Sequence, residues 1–232
     1  MHQADGRRLY RHIADQLMQM IRSGDYPPGS RLPAERDLAA ELGVSRPSVR
    51  EALIALEVEG VVEVRGGAGI FVLQPHSAPA TALAPLPGPF DLIRARWIVE
   101  SESACLAATH ATPEHLAGMK RALDDMRASP VQNAATLEAD QRFHLHIAEA
   151  SANSALVMLT RQLWDARRGP LYLQLESHFS SEQIWRQAVD EHAEILDAIA
   201  TRNGRAARAA MRQHMKSAEL RFASSWRPGE AP

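Results

Sequence analysis

Three histidines and one aspartate stand at positions from which the chain can hold a cation. Between residues 134 and 151, Leu137, Asp140, His144, Ile147 and Ser151 fall on one helical face, so Asp140 and His144 point inward at an i, i+4 spacing. Two side chains so placed can reach a single ion. Further on, Ile184, Ala188, His192, Ile195 and Ile199 make one inner stripe, and Ala207, Met211, His214 and Ala218 make another. The turn between these stretches centres on Asn203, and His192 and His214 each stand eleven residues from it. An antiparallel hairpin brings both imidazoles to the same depth, roughly 16 Å from the turn at about 1.5 Å rise per residue. One carboxylate and three imidazoles offer a divalent transition metal one oxygen and three nitrogens. That set suits Zn²⁺ first and Ni²⁺ or Mn²⁺ as alternatives, with positions left open for water or a ligand oxygen. A lone inward histidine is more often a hydrogen-bonded core residue; three of them with an aspartate reverse that preference. His146, two residues from His144, faces elsewhere, and His2, His12, His76, His110, His115 and His178 have no comparable setting.

These stripes belong to a region that reads as helix almost throughout. Helices are expected at about 91–109, 113–129, 134–151, 153–168, 170–177, 181–201 and 204–225, parted by Ser129-Pro130, Asn153, Gly169-Pro170, Ser180-Ser181 and Asn203-Gly204. With no strand among them, an antiparallel helical bundle follows. Ahead of it, residues 74–89 hold Pro75, Pro79, Pro85, Pro87 and Pro89 and no charge, the composition of an extended linker. The chain is therefore expected to divide into a domain at 1–73, a linker at 74–89, a bundle at 90–225 and a tail at 226–232.

The first domain carries a second constellation. Leu9, Ile13, Leu17, Met20 and Ile21 recur at helical spacing up to Gly24, and residues 34–43 make a short helix closed by Gly43. Ser45 caps a third helix, with Pro47 near its start and Val49, Leu53 and Leu56 facing inward. Two helices joined by Gly43-Val44 have helix-turn-helix spacing. Val62 and Val64 then alternate with Glu63 and Arg65, and Gly66-Gly67-Ala68-Gly69 turns the chain into Ile70-Phe71-Val72-Leu73, a β-hairpin wing. The glycines are not a nucleotide cradle, because no helix follows the second strand. Ser45, Arg46, Ser48 and Arg50 lie in the first turns of the third helix, where a recognition helix meets base edges and phosphates, with Arg36 and Arg65 flanking. Arginine suits both tasks, since its planar fork binds guanine O6/N7 or a phosphate through two hydrogen bonds.

Composition bounds these readings. The 232 residues are 45% hydrophobic and 23% charged, with a formal net charge of −2. That excludes a protein that coats nucleic acid or membrane by charge alone. Residues 1–73 hold 9 Arg against 10 Asp and Glu, so placement of the arginines and not their number carries the DNA reading over a solvated, internally paired face. Cys105 stands alone, which removes intramolecular disulfides and thiolate metal clusters and fits a reducing cytoplasm. No apolar run reaches the roughly 20 residues needed to span a bilayer.

The stretch PPGSRLPAERDLAAELGVSRPSVREALIALEVEGVVEVRGGAGIFV resembles the winged helix-turn-helix domain of the GntR superfamily of bacterial transcription regulators. The resemblance implies operator contacts from Arg36, Arg46 and Arg50, with Ser45 and Ser48 beside them and Gly66 at the wing tip. Residues 90–224 are similar to the FCD effector domain of the FadR-like subfamily, whose metal-binding members use an Asp and a His four residues apart and a His in each of the last two helices. All four positions are kept here as Asp140, His144, His192 and His214. The same likeness implies that Arg96 binds the carboxylate of an organic-acid effector and that Asn153 lies near its pocket. ARWIVESESA and REALIALEVEGVVEVR look most like hexuronate and sugar-acid regulators.

The expected protein is a mainly α, cytoplasmic homodimer that binds a palindromic operator as a repressor and answers a small organic acid, and it is not an enzyme. Two other functions compete. In one the metal is itself the signal. In the other a site of one Asp and three His activates water as a mononuclear metallohydrolase; no general base beside such a site is evident in the sequence, and the Glu-x-x-His pairs of a di-iron bundle are missing.

Overall fold

The structure, a computed structural model, describes residues 6–74 and 87–223. The expected linker and tail fall largely or wholly outside the described residues. The order of elements is α1 (Gly6–Ser23), α2 (Glu35–Leu42), α3 (Arg46–Val58), β1 (Val62–Arg65), β2 (Gly69–Val72), α4 (Pro89–His110), α5 (Pro113–Arg127), α6 (Ala134–Ala150), α7 (Ser154–Arg167), α8 (Pro170–Phe179), α9 (Glu182–Ala200) and α10 (Gly204–Ala223). A helix-turn-helix with a hairpin wing is thus followed by seven helices among the described residues, the mainly α architecture expected.

The chain clusters into two compact units. One comprises the described residues up to Asp91 with Arg168–His178 and residues 222–223; the other comprises Leu92–Arg167 and Phe179–Arg221. In the first, Ile13 and Leu17 of α1 pack with Leu38 of α2 and Val49, Leu53 and Leu56 of α3, beneath Val62, Val64, Ile70 and Val72 from the inner face of the hairpin. The antiparallel register Val62↔Val72 and Val64↔Ile70 follows from the period of two, which sends all four valine and isoleucine side chains to one face. Gly43 ends α2 at φ +66°, a left-handed conformation that costs glycine least, and its amide closes on Ala39 O. Ser45 then starts α3, its hydroxyl accepting from the Ser48 amide at 3.3 Å. The wing has a third strand-like edge that the residue pattern did not disclose. Leu32 donates to Ile70 O at 2.8 Å and Val72 donates to Ser30 O at 2.9 Å, so Gly29–Leu32 runs beside β2. His178 of α8 also lies in this unit, 2.7 Å from Glu57 of α3.

In the second unit, Met119 and Leu123 of α5, Phe143 and Ile147 of α6, Ile195 and Ile199 of α9 and Ala207 and Met211 of α10 share one core. Reciprocal capping boxes begin α5, at Thr112 and His115, and α6, at Asn133 and Thr136. Asn203 starts α10 by accepting from the Ala206 amide at 3.0 Å, while its own amide closes on Ala198 O, so the turn centred there joins α9 to α10 as expected. Alignment of the two inner stripes of this hairpin sets the depth of the histidines.

Candidate functional site

The second unit encloses a cluster of charged and aromatic side chains in its apolar core. His144 on α6, His192 on α9 and His214 on α10 are buried, and one nitrogen from each lies within 4.8 Å of the other two. The His192 and His214 rings are 4.3 Å apart between centroids, and His144 lies 5.2 Å and 5.5 Å from them. Asp140, one turn before His144, places Oδ1 3.0 Å from His192 Nε2 and 3.3 Å from His144 Nε2. The four residues that the sequence selected are thus brought together. Phe143 closes one wall, its ring edge-on to His192 at 5.0 Å.

The outward nitrogens explain why the inward ones converge. His144 Nδ1 lies 2.5 Å from Glu100 Oε2, His192 Nδ1 is 2.5 Å from Ala188 O, and His214 Nδ1 is 2.7 Å from Glu191 Oε2. Each Nδ1 faces an acceptor, which favours a proton there and leaves a lone pair on Nε2. The Nε2 atoms of His144 and His192 are nonetheless only 3.1 Å apart and share Asp140 Oδ1. Lone pairs and a carboxylate oxygen crowd one point, an arrangement that only a proton or a cation can stabilise. The donor set therefore fits a divalent metal on chemical grounds.

Of the charges around the cluster, the sequence singles out Arg96 but not Glu100 or Arg167. Asp140 Oδ2 accepts from Arg167 Nη1 at 2.9 Å, and Glu100 accepts from Arg96 Nε at 2.7 Å and Nη2 at 3.4 Å. Both guanidinium groups lie over the Trp164 ring, Arg96 at 4.1 Å and Arg167 at 4.6 Å from its centroid. Burial would push the Asp140 carboxyl up, but Arg167 and hydrogen bonds from His144 and His192 hold it well below the usual range. Glu100 is likewise lowered despite its burial, by Arg96 and His144. Burial first, then the neighbouring His192 and His144, holds His214 well below an ordinary imidazole. For His144 burial acts downward, yet Glu100 and Asp140 outweigh it and the pKa is raised.

This last shift has a measurable consequence. A metal must displace the His144 proton, and a raised pKa in the metal-free protein makes that proton a stronger competitor. Affinity for Zn²⁺ should therefore weaken on acidification, with protons released as the metal binds. Calorimetric titration in buffers of different ionisation enthalpy measures that release, and a pH-independent affinity would contradict the raised His144 pKa.

The residues proposed for the effector fare differently. Arg96 is buried, 3% exposed, beside the cluster, but Glu100 already occupies its fork. Asn153 is exposed and its side-chain oxygen accepts from the amides of Ala155 at 3.0 Å and Leu156 at 3.3 Å, so it starts α7 and does not line the buried cluster. The capping chemistry of asparagine accounts for its position in the ASANSAL turn.

The first unit presents its arginines around a groove of about 500 Å³ lined by Arg31, Arg36, Arg46, Arg65 and Gly67 among others. Arg36 and Arg65 are exposed, held by Asp37 at 3.1 Å and Glu63 at 2.7 Å, and Arg65 lies over the Phe71 ring. Arg46 is exposed at the start of α3, 4.0 Å from Glu35, and Gly66 is exposed in the wing turn. The Ser45 and Ser48 hydroxyls hydrogen-bond each other at 2.8 Å across the first turn. Arg50 departs from expectation. It is 1% exposed, and its fork is bound by Glu35 at 2.7 Å and 2.5 Å. Glu35 is itself buried, and an ionised carboxylate there needs a paired guanidinium, so Arg50 joins α3 to α2 instead of facing outward.

Comparison with known proteins agrees with both halves. Residues 9–72 match the bacterial regulatory proteins of the gntR family and residues 91–217 match the FCD domain. The chain is 39% identical over 223 residues to the Uxu operon transcriptional regulator of Escherichia coli K12, covering 93% of this chain and 87% of that protein. It is also 39% identical over 228 residues to the Exu regulon transcriptional regulator of the same organism, covering 95% and 86%. Among solved structures, E. coli McbR/YncC shares the fold, with a TM-score of 0.51 at 22% identity over 93% of this chain and 97% of that one. The Uxu and Exu relatives are transcriptional regulators, and no helix among the described residues is long and apolar enough to cross a membrane. A helix-turn-helix with an arginine-lined groove, a helical unit with a buried histidine cluster and these matched segments identify the chain as a member of the GntR family of transcriptional regulators with an FCD effector domain.

Proposed function

We propose that the protein is a cytoplasmic, dimeric repressor whose FCD domain holds one divalent metal, Zn²⁺ first among candidates, and a sugar-acid effector of the hexuronate type that alters operator binding. The observation that carries this reading is the clustering of one nitrogen from each of three imidazoles, with Asp140 beside two of them, next to a guanidinium that can take a carboxylate. When bound, the metal supplies a Lewis-acid anchor for a ligand oxygen. This chain's residues do the rest. Glu100, Ala188 O and Glu191 orient the imidazoles, Arg167 holds Asp140 ionised, and Arg96 offers two parallel N–H donors to the effector carboxylate. Because Glu100 holds that fork in the present structure, the effector must share or displace it. Two buried polar atoms on one face of α7, Thr160 Oγ1 and Trp164 Nε1, have no hydrogen-bond partner among the described residues, and a hydroxylated ligand would satisfy what a simple fatty acid cannot. The Uxu and Exu regulators to which the chain is similar support the same class.

On the DNA side, Arg46 with Ser45 and Ser48 at the start of α3 reads a half-site, flanked by Arg36 and by Arg65 and Gly66 of the wing. Two copies would read a palindrome. An effector changes operator affinity only by binding the two arrangements of that pair unequally. The test is a titration of the metal-loaded protein with duplex from upstream of its own gene, with and without a hexuronate. Specific binding that a hexuronate weakens at least about 5-fold, the lower range of allosteric coupling, is expected. Binding indifferent to every sugar acid but switched by chelation would instead make the metal the signal.

A further inference from the structure

We infer that Arg31, on the edge segment beside the wing, is a DNA-phosphate clamp. It belongs to none of the DNA-contact positions that the helix-turn-helix resemblance implies. The inference rests on DNA lying over the arginine-lined groove, and its experiment separates the two.

Four arginines line that groove, and three have a carboxylate at hand: Arg36 has Asp37, Arg46 has Glu35 and Arg65 has Glu63. Arg31 is the groove arginine with no ion-pair partner among the described residues. Its charge is therefore the least compensated there, although the unit as a whole is not basic. The backbone holds Arg31 in place. Arg31 bridges Phe71 across the edge of the hairpin, with hydrogen bonds on both sides from Leu32 to Ile70 O and from Val72 to Ser30 O. The guanidinium then lies against Gly69, whose φ of +114° and missing side chain make the slot; a methyl there would stand 2.9 Å from Arg31 Cζ. A long cation seated on backbone, next to Arg65 and facing an open groove, loses less side-chain entropy on meeting an anion than a free one would. A phosphate is the anion that duplex DNA offers beside a wing, and base edges are left to α3.

The experiment is operator and random-duplex binding by the full chain across a salt series, for wild type, Arg31→Ala, Arg31→Lys and Arg46→Ala, with melting curves to confirm folding. A phosphate contact carries no sequence information, so Arg31→Ala should weaken both duplexes by the same factor and leave discrimination intact. The log–log salt slope should become shallower by about 0.9 per bound subunit, which makes the affinity loss between about 50 and 200 mM salt roughly 3.5-fold smaller per subunit. Arg31→Lys should keep the wild-type slope. An unchanged slope in Arg31→Ala, with Arg46→Ala still impaired, overturns the clamp and leaves the groove as the DNA face. If Arg46→Ala also binds as wild type, DNA does not lie over this groove and the clamp fails with it.

Discussion

His192→Ala should abolish the high-affinity metal binding proposed for this domain. His192 is the hub of the cluster: its Nε2 is 3.1 Å from His144 Nε2 and 3.0 Å from Asp140 Oδ1, and its ring is the one nearest His214. Loss of an outer-shell partner costs a metal site about 10–100-fold in affinity. Loss of this ligand should cost more than about 100-fold, measured by equilibrium dialysis and elemental analysis. Stability follows by mass action. Metal at 100 times its Kd stabilises the folded state by about 2.7 kcal/mol, a rise in Tm of about 5–10 °C for a chain of this size. Wild type should show that rise on addition of Zn²⁺ and His192→Ala should not. His192→Gln, which keeps a polar group in the core, controls for the cavity left by alanine. A variant that kept one tightly held equivalent would place the metal elsewhere.

The second large effect is on the effector. Arg96→Ala should lose the hexuronate-induced thermal shift and the release of operator while metal content stays at the wild-type value. A paired carboxylate accepts charge-assisted bonds each worth about 1.5–3 kcal/mol, so removing the fork should weaken the effector by at least the about 10–150-fold that one such bond is worth. Arg96 also neutralises Glu100, and breaking a buried ion pair from one side costs about 3–5 kcal/mol, so folding must be checked. Arg96→Lys keeps the charge without the planar fork and should retain the fold with a weakened response. An effector response of wild-type size in Arg96→Lys and Arg96→Ala would remove Arg96 from the ligand site.

The pattern of legible and hidden features has a physical origin. Asp140, His144, His192 and His214 could be found because each interrupts an apolar stripe, and a stripe is a local property of 3.6-residue periodicity. Their supports could not. Arg167, Glu100 and Trp164 reach the cluster from helices distant in sequence, and nothing in their own neighbourhoods states that they are buried. The i, i+4 spacing of Arg96 and Glu100 is a local signal for an internal ion pair. Glu191 precedes His192 yet pairs with His214, which becomes apparent only once α9 and α10 are laid side by side. In the first unit the helices and hairpin followed from capping and alternation, whereas the fate of Arg50 did not. Eight consecutive residues of α3, from Val49 to Leu56, are buried, so that helix has no wet face over that span, and the polar residues among them must find internal partners. Arg31 is not legible in the sequence because a four-residue edge with glycine and serine carries no alternating pattern.

We propose that this FCD domain is built around one metal. Equilibrium dialysis of the wild-type protein against Zn²⁺, read as bound metal per chain beside His192→Ala, tests it most directly. Saturation at one equivalent per chain, lost in the variant, is the result the clustered Nε2 atoms and Asp140 predict. No bound metal, or the same uptake by both proteins, would show that protons alone hold these histidines together and that no metal anchors a ligand there.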